Sequence, residues 1–156
     1  MFVIPMSTED NPGYVLRIST EEWLKQVFER GKYYSGVMRK WRRGTPILLA
    51  KKAGASDCFV GYGVVDKVEM LWEMTPEEEE YSKEHSWRCS LTFRGLTRLE
   101  TPYPIKESIL KEDKRRGMLL HGAMLTEEQV DAILEAAEDY QDATKRVEQA
   151  TQQALR

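Results

Sequence analysis

Apolar and polar residues follow two rhythms along this chain, and the switches between them mark its elements. Phe2-Val3-Ile4-Pro5 is a short apolar start that predicts an edge strand, because Pro5 cannot donate to a ladder, and Asn11-Pro12-Gly13 turns the chain. Ser19 and Glu22 have capping-box spacing. Trp23, Leu24, Val27 and Phe28 then form an apolar stripe that stops at Gly31, which predicts a helix of about three turns. Ile47-Leu48-Leu49-Ala50 is continuously apolar, as a strand covered on both faces would be. After a turn predicted over residues 54–57, the run 58–68 is β-rich. Its two glycines, Gly61 and Gly63, are costly in a strand unless a bend or a close approach requires them.

Thr75-Pro76-Glu77-Glu78 joins an N-cap, a proline at the first helical position and a capping-box glutamate, predicting a short acidic helix over 77–84. Trp87, Cys89, Leu91 and Phe93 alternate with Arg88, Ser90, Thr92 and Arg94, predicting a strand over 87–99 with one buried face. Pro102 and Pro104 break the chain before a short helix predicted over 105–110, and residues 117–120 are expected to return as a last strand. Thr126 and Gln129 form another capping box, followed by Val130, Ile133, Leu134 and Ala137 at helical spacing. Beyond Tyr140 only Val147 and Leu155 are large and apolar, too few for a heptad seam. The expectation is one domain over 1–140, a helical extension over 141–156, and a monomer or weak dimer.

With 156 residues, 41% of them hydrophobic and 31% charged, the chain has the composition of one globular domain able to bury a core without disulfide or metal support. Its longest apolar runs are too short to cross a bilayer, and the segment after Met1 lacks a basic stretch followed by a long apolar one. A cytoplasmic protein is expected. Cys58 and Cys89, with no CxxC and no Cys/His cluster, read as reduced core thiols rather than metal ligands. No metal and no cofactor are implied.

Charge is unevenly distributed. The window from Arg30 to Ser56 has no Asp or Glu but holds eight Lys and Arg, with Tyr33, Tyr34 and Trp41 among them, in a chain of formal net charge -3. Such segregation gives one region a positive potential suited to phosphates. The ordinary alternative is that the cations solvate a surface while the aromatics fill the core. Trp41, flanked by Lys40, Arg42 and Arg43, could lie beneath guanidinium groups as a cation–π support. The acidic stretch 69–84 reads as a solvated helix or as the opposite rim of a binding face.

The order of these elements resembles the pseudouridine-synthase-and-archaeosine-transglycosylase-like (PUA-like) superfamily, and within it the EVE and YTH branches. Phe2-Val3-Ile4 leading to Ser7-Thr8-Glu9-Asp10 begins the likeness, and Gly44-Thr45-Pro46-Ile47-Leu48-Leu49 follows. Next come Phe59-Val60-Gly61-Tyr62-Gly63-Val64-Val65 with Trp72 in the following loop, then Leu91-Thr92-Phe93-Arg94-Gly95-Leu96, Pro104-Ile105 and the helix from Thr126. The resemblance implies an α+β fold, a PUA-like curved mixed β-barrel flanked by helices with a C-terminal helix. It also implies a pocket that receives one flipped, modified base from RNA or DNA. An unstacked base needs replacement stacking, which aromatic side chains supply at about 1–3 kcal/mol per base.

By position in that pattern, Trp72 is the first candidate for an aromatic wall, with Tyr33, Tyr34 and Ser35 in the neighbourhood where relatives place another aromatic and small polar readers. The family often has Trp where this chain has Tyr. Trp87 joins the base-pocket set, although the start of an alternating strand makes it equally a core residue, and Trp23 reads as core on its helix stripe. For Trp72 the neighbours Met70, Leu71 and Met74 leave pocket and core both open. Arg39, Lys40, Arg42, Arg43, Lys51 and Lys52 would hold phosphates, positioning the nucleic acid without reading its sequence.

Two rival classes stand beside this reading. The ASCH branch resembles the same architecture and includes amidohydrolases acting on modified nucleosides, but its Gly-x-Lys-x-x-Glu-x-Arg pattern is missing, since residues 36–43 contain no carboxylate. His85, in a polar loop, and His121, before Gly122, have no recognisable catalytic partner, and no GxSxG, P-loop or HExxH occurs. The expectation is a binding domain, not an enzyme. A protein-interaction module docking through the C-terminal helix is the other rival.

Overall fold

The computed structural model describes residues 11–115 and 120–155. The expected strand 2–4 lies outside them, as does most of the one expected over 117–120. Six strands form one mixed sheet: β1 (Gly13–Arg17), β2 (Lys32–Ser35), β3 (Pro46–Ala53), β4 (Ser56–Met70), β5 (Cys89–Pro104) and β6 (Met124–Leu125). Their order is β2-β5-β4-β3-β1-β6, so among the described residues the sheet is open, not a closed barrel. The pair β1–β3 is parallel and all the others are antiparallel. Helix α1 (Glu21–Arg30) follows β1, α2 (Pro76–Glu84) follows β4, and α3 (Glu127–Ala154) ends the described chain.

The apolar run in β3 is covered on both sides, as its composition requires. Ile47 and Leu49 enter a core with Leu24 and Val27 of α1, whereas Leu48 and Ala50 enter a second core with Val130, Ile133 and Ala137 of α3. β1 was missed in the sequence because its five residues show no polar face. Tyr14 and Leu16 feed one core and Val15 the other. Helix α1 is capped by Thr20, whose hydroxyl accepts from the Trp23 N–H, and not by Ser19.

Gly61 earns its place in β4: a Cβ there would sit 2.5 Å from Phe28 Cζ and 2.7 Å from the Thr97 carbonyl oxygen. That close approach seats α1 on the sheet. Register irregularities with β5 between Phe59 and Gly61, Tyr62 and Val64, and Val65 and Lys67 bend the two long strands. β4 already begins at Ser56, which shortens the expected turn.

Pro102 does not end β5, which runs on to Pro104, because β2 flanks β5 only over residues 89–92 and leaves the later part with one ladder to satisfy. The helix expected next is two 3-10 turns, Ile105–Glu107 and Ile109–Glu112. The capping box at Thr126 and Gln129 forms, and α3 runs through residue 140 without a break. Gln141 clips it to β5 by accepting from the Thr101 N–H at 2.8 Å and donating to the Thr101 carbonyl at 2.7 Å. No helix among the described residues is long and apolar enough to cross a membrane.

Candidate functional site

At the C-terminal end of β1 the chain leaves the sheet through Ile18 and Ser19 before entering α1, and a cavity of about 100 Å³ opens there. Trp23, Gln26 and Val27 of α1 form one side of it, Tyr33 and Tyr34 of β2 another, and Trp87 closes it from the approach to β5, with Arg17 beside them. Three of the five residues expected around a base are therefore brought together: Tyr33, Tyr34 and Trp87.

The other two are not. Ser35 is buried, and its hydroxyl donates to the Val37 carbonyl while accepting from the Val37 N–H, so it closes a turn instead of facing the cavity. Trp72 sits on the 3-10 turn Leu71–Glu73, is 76% exposed, and does not line this cavity. It is neither core nor cavity wall. Trp41 is buried edge-on to Tyr14 at 5.8 Å, which makes it a core residue and not a surface cation–π support.

Trp87 anchors a cluster of rings. It stacks with Tyr34 (5.0 Å, 15°) and with His85 (4.5 Å, 16°), while Trp23 and Tyr81 meet it edge-on at 5.3 and 5.4 Å. The turn between α2 and β5 makes this possible: Ser86 adopts φ 60°, a left-handed conformation costing about 1–2 kcal/mol for a residue with a Cβ. The Trp87 and Arg88 N–H groups then donate to the Ser82 and Ser35 carbonyls. Trp23, expected as a core residue, and Trp87, for which pocket and core were both open, are only half-buried.

Polar contacts hold these walls. The Tyr33 hydroxyl donates to the Arg17 carbonyl at 2.6 Å, and burial pushes its pKa well above the tyrosine range. Tyr34 donates to Glu78 Oε2 at 3.0 Å, and burial with that carboxylate raises its pKa as well. Glu78 also takes a hydrogen bond from Lys32 at 3.1 Å, and Glu69 lies 3.5 Å from the same ammonium. Burial opposes the charge on Lys32, but Glu78, Tyr34 and Glu69 outweigh it and raise its pKa. Glu78 thus spends its carboxylate on β2 and not on the expected capping box, although Thr75 does cap α2. The remaining acids of α2 are partly or fully solvent-facing.

The cations divide. Lys40, Arg42 and Lys52 are exposed, and Arg43 is exposed with a loose contact to Asp66 at 3.5 Å. Lys51 is largely covered and pairs with Glu21. Arg39 connects the basic loop to the cavity. Its Nε–H donates to the Gly122 carbonyl at 2.9 Å, and the neighbouring His121 accepts the Arg17 N–H on Nδ1 at 3.0 Å. Burial, Arg17 and Arg39 lower the His121 pKa, so its ring is neutral at pH 7 with the proton on Nε2.

Sequence reasoning missed Arg17, Ser19, Gln26, Tyr81 and the stacking role of His85. Gln26 carries the one available signal, lying three residues after Trp23 on the same helix face.

No family model matches the chain, and no match was found among curated proteins. The chain is similar to the solved structure of a hypothetical protein from Leishmania major. The identity is 12% over 83% of this chain and 97% of that one, with a TM-score of 0.52, a likeness of fold alone.

Proposed function

We propose that this chain is a PUA-like domain of the EVE/YTH kind that binds RNA or DNA and receives one flipped, modified base between aromatic side chains. The observation that carries the reading is the half-buried, aromatic-walled cavity of Trp23, Tyr33, Tyr34 and Trp87, joined through Arg17, His121 and Arg39 to a loop of exposed cations. Aromatic walls replace the stacking that a base loses on leaving its helix. Arg39, Lys40, Arg42 and Arg43 hold the flanking phosphates, and Lys52 extends that row; Lys51, paired with Glu21, contributes least. The wall role first expected of Trp72 passes to the rings that line the cavity, and Trp87, stacked between Tyr34 and His85, holds Tyr34 in place as a wall.

A panel of modified and unmodified RNA and DNA oligonucleotides, titrated at two salt concentrations, tests this. Trp87→Ala should reduce affinity for the preferred modified oligonucleotide at least tenfold and remove its preference over the plain one. Arg42→Ala combined with Arg43→Ala should weaken both equally and flatten the dependence of log affinity on log salt. Absence of binding by every oligonucleotide at low salt, with the wild-type fold intact, would refute the proposal.

A further inference from the structure

We infer that Arg39 is the fixed phosphate contact of this site, gripping the backbone phosphate next to the received base, and that Gly122 is the positioning residue that seats it; the inference rests on the base-binding reading above. What separates Arg39 from the other exposed cations of its loop is how it is held. Its Nε–H donates to the Gly122 carbonyl at 2.9 Å and its Nη1 to the Met38 carbonyl at 2.8 Å. Neutral main-chain oxygens therefore orient the guanidinium, and no carboxylate among the described residues offsets its charge. Three of its five N–H groups, both of those on Nη2 among them, remain to donate. Lys40, Arg42 and Lys52 are exposed with no such anchor among the described residues, and the Arg43 side chain is 74% exposed beside Asp66. An arginine that is already ordered loses less side-chain freedom on closing over a phosphate, and its planar fork matches two phosphate oxygens.

Gly122 makes the seat. Its φ of 77° favours glycine, and a Cβ there would lie 2.8 Å from Arg39 Nη2 and 3.0 Å from Cζ and Nε, so the guanidinium rests against backbone that only glycine leaves bare. The same segment is fastened to β1. The Gly122 N–H donates to the Val15 carbonyl at 2.7 Å, and the Val15 N–H donates to the Ala123 carbonyl at 3.0 Å. His121, one residue before Gly122, accepts the N–H of Arg17, which lines the cavity. Burial, then Arg17 and Arg39, lower the His121 pKa, so both guanidinium charges reach one place beside the cavity rim. That rim is where the backbone flanking an inserted base runs.

The test titrates the full chain with mixed-sequence single-stranded RNA and DNA of about 12 nucleotides across a series of salt concentrations. Arg39→Ala should cost at least tenfold at low salt and reduce the slope of log affinity against log salt by about one, whereas Lys40→Ala should cost about threefold or less. Gly122→Ala should match the loss of Arg39→Ala to within about threefold, yet add less than about twofold when Arg39 is already alanine. The strain of its positive φ is common to both backgrounds, so a purely structural role would give equal losses in the two. Equal losses from Arg39→Ala and Lys40→Ala, or from Gly122→Ala in both backgrounds, overturn the inference. Should Gly122→Ala not fold, the comparison of Arg39→Ala with Lys40→Ala decides by itself. If the inference fails while Arg42→Ala with Arg43→Ala still flattens the salt dependence, the base-binding proposal stands; if no oligonucleotide binds at low salt, both fail.

Discussion

On the α3 side of the sheet the core is mainly aliphatic, with Leu48, Leu110, Leu120, Leu125 and Ile133 at 2% exposure or less and Phe59, Tyr103 and Tyr140 as its aromatic members. On the α1 side aromatic rings take over toward the end of β1, several are half-buried, and a cavity remains between them. Aliphatic groups of varied shape interdigitate to fill space, whereas planar rings meeting edge-on and face-on leave gaps bounded by polarizable faces. The first side carries the better-filled core, and on the second the rings frame the cavity at which we place the base.

The largest expected effect breaks this comparison from the stable side. Ile133→Ala removes a side chain that is 1% exposed in the α3 core and should cost about 2–5 kcal/mol in urea denaturation. Where the variant is still folded, its preference among oligonucleotides should match that of the wild type. Trp87→Ala should do the reverse, losing preference with the smaller change in stability, since its ring is only half-buried.

The same contrast explains what could be read from the sequence. Helices α1, α2 and α3 were legible from caps and apolar stripes, and β3 and β4 from continuous or β-branched runs, because those signals are local. β1 was not, since a five-residue strand buried on both faces offers no alternation. The site was half legible. Tyr33 and Tyr34 stood out among cations, but Gln26 and His85 join the cavity and its ring cluster only once α1 and the Ser86 turn are packed against β2, a long-range arrangement that no local spacing encodes. Trp72 drew attention as an aromatic in a loop, and exposure is what a loop gave it.

A smaller effect sharpens the comparison from the aromatic side. Lys32 and Tyr34 both have pKa values raised above their ordinary 10.5 and 10.0, so the folded state holds these protons more tightly than the unfolded chain does. The stabilisation is complete below about pH 10 and is lost as pH rises through the raised values. Glu78→Gln removes the carboxylate that raises both. It should lower stability by about 2 kcal/mol at pH 8, the scale of a lost hydrogen bond to a charged group. Its stability should then fall less steeply than that of the wild type above pH 10, although the burial that also raises Tyr34 persists. Denaturant titrations between pH 7 and 11 measure both slopes, and parallel slopes would sever the link between this polar cluster and the aromatic wall.

The smallest effect on stability belongs to Trp72→Ala, and it decides between two tryptophans that the sequence alone could not rank. A ring that is 76% exposed gives up little on truncation, so the change in unfolding free energy should stay within about 0.5 kcal/mol. Base preference should survive, because stacking selects a ring only where the opposite face is also shielded from water, and an exposed indole offers one face and solvent. Loss of preference in Trp72→Ala with retention in Trp87→Ala would move the recognition site out of the cavity and onto the turn after β4. That pair of outcomes separates a site built by packing from one presented by a loop.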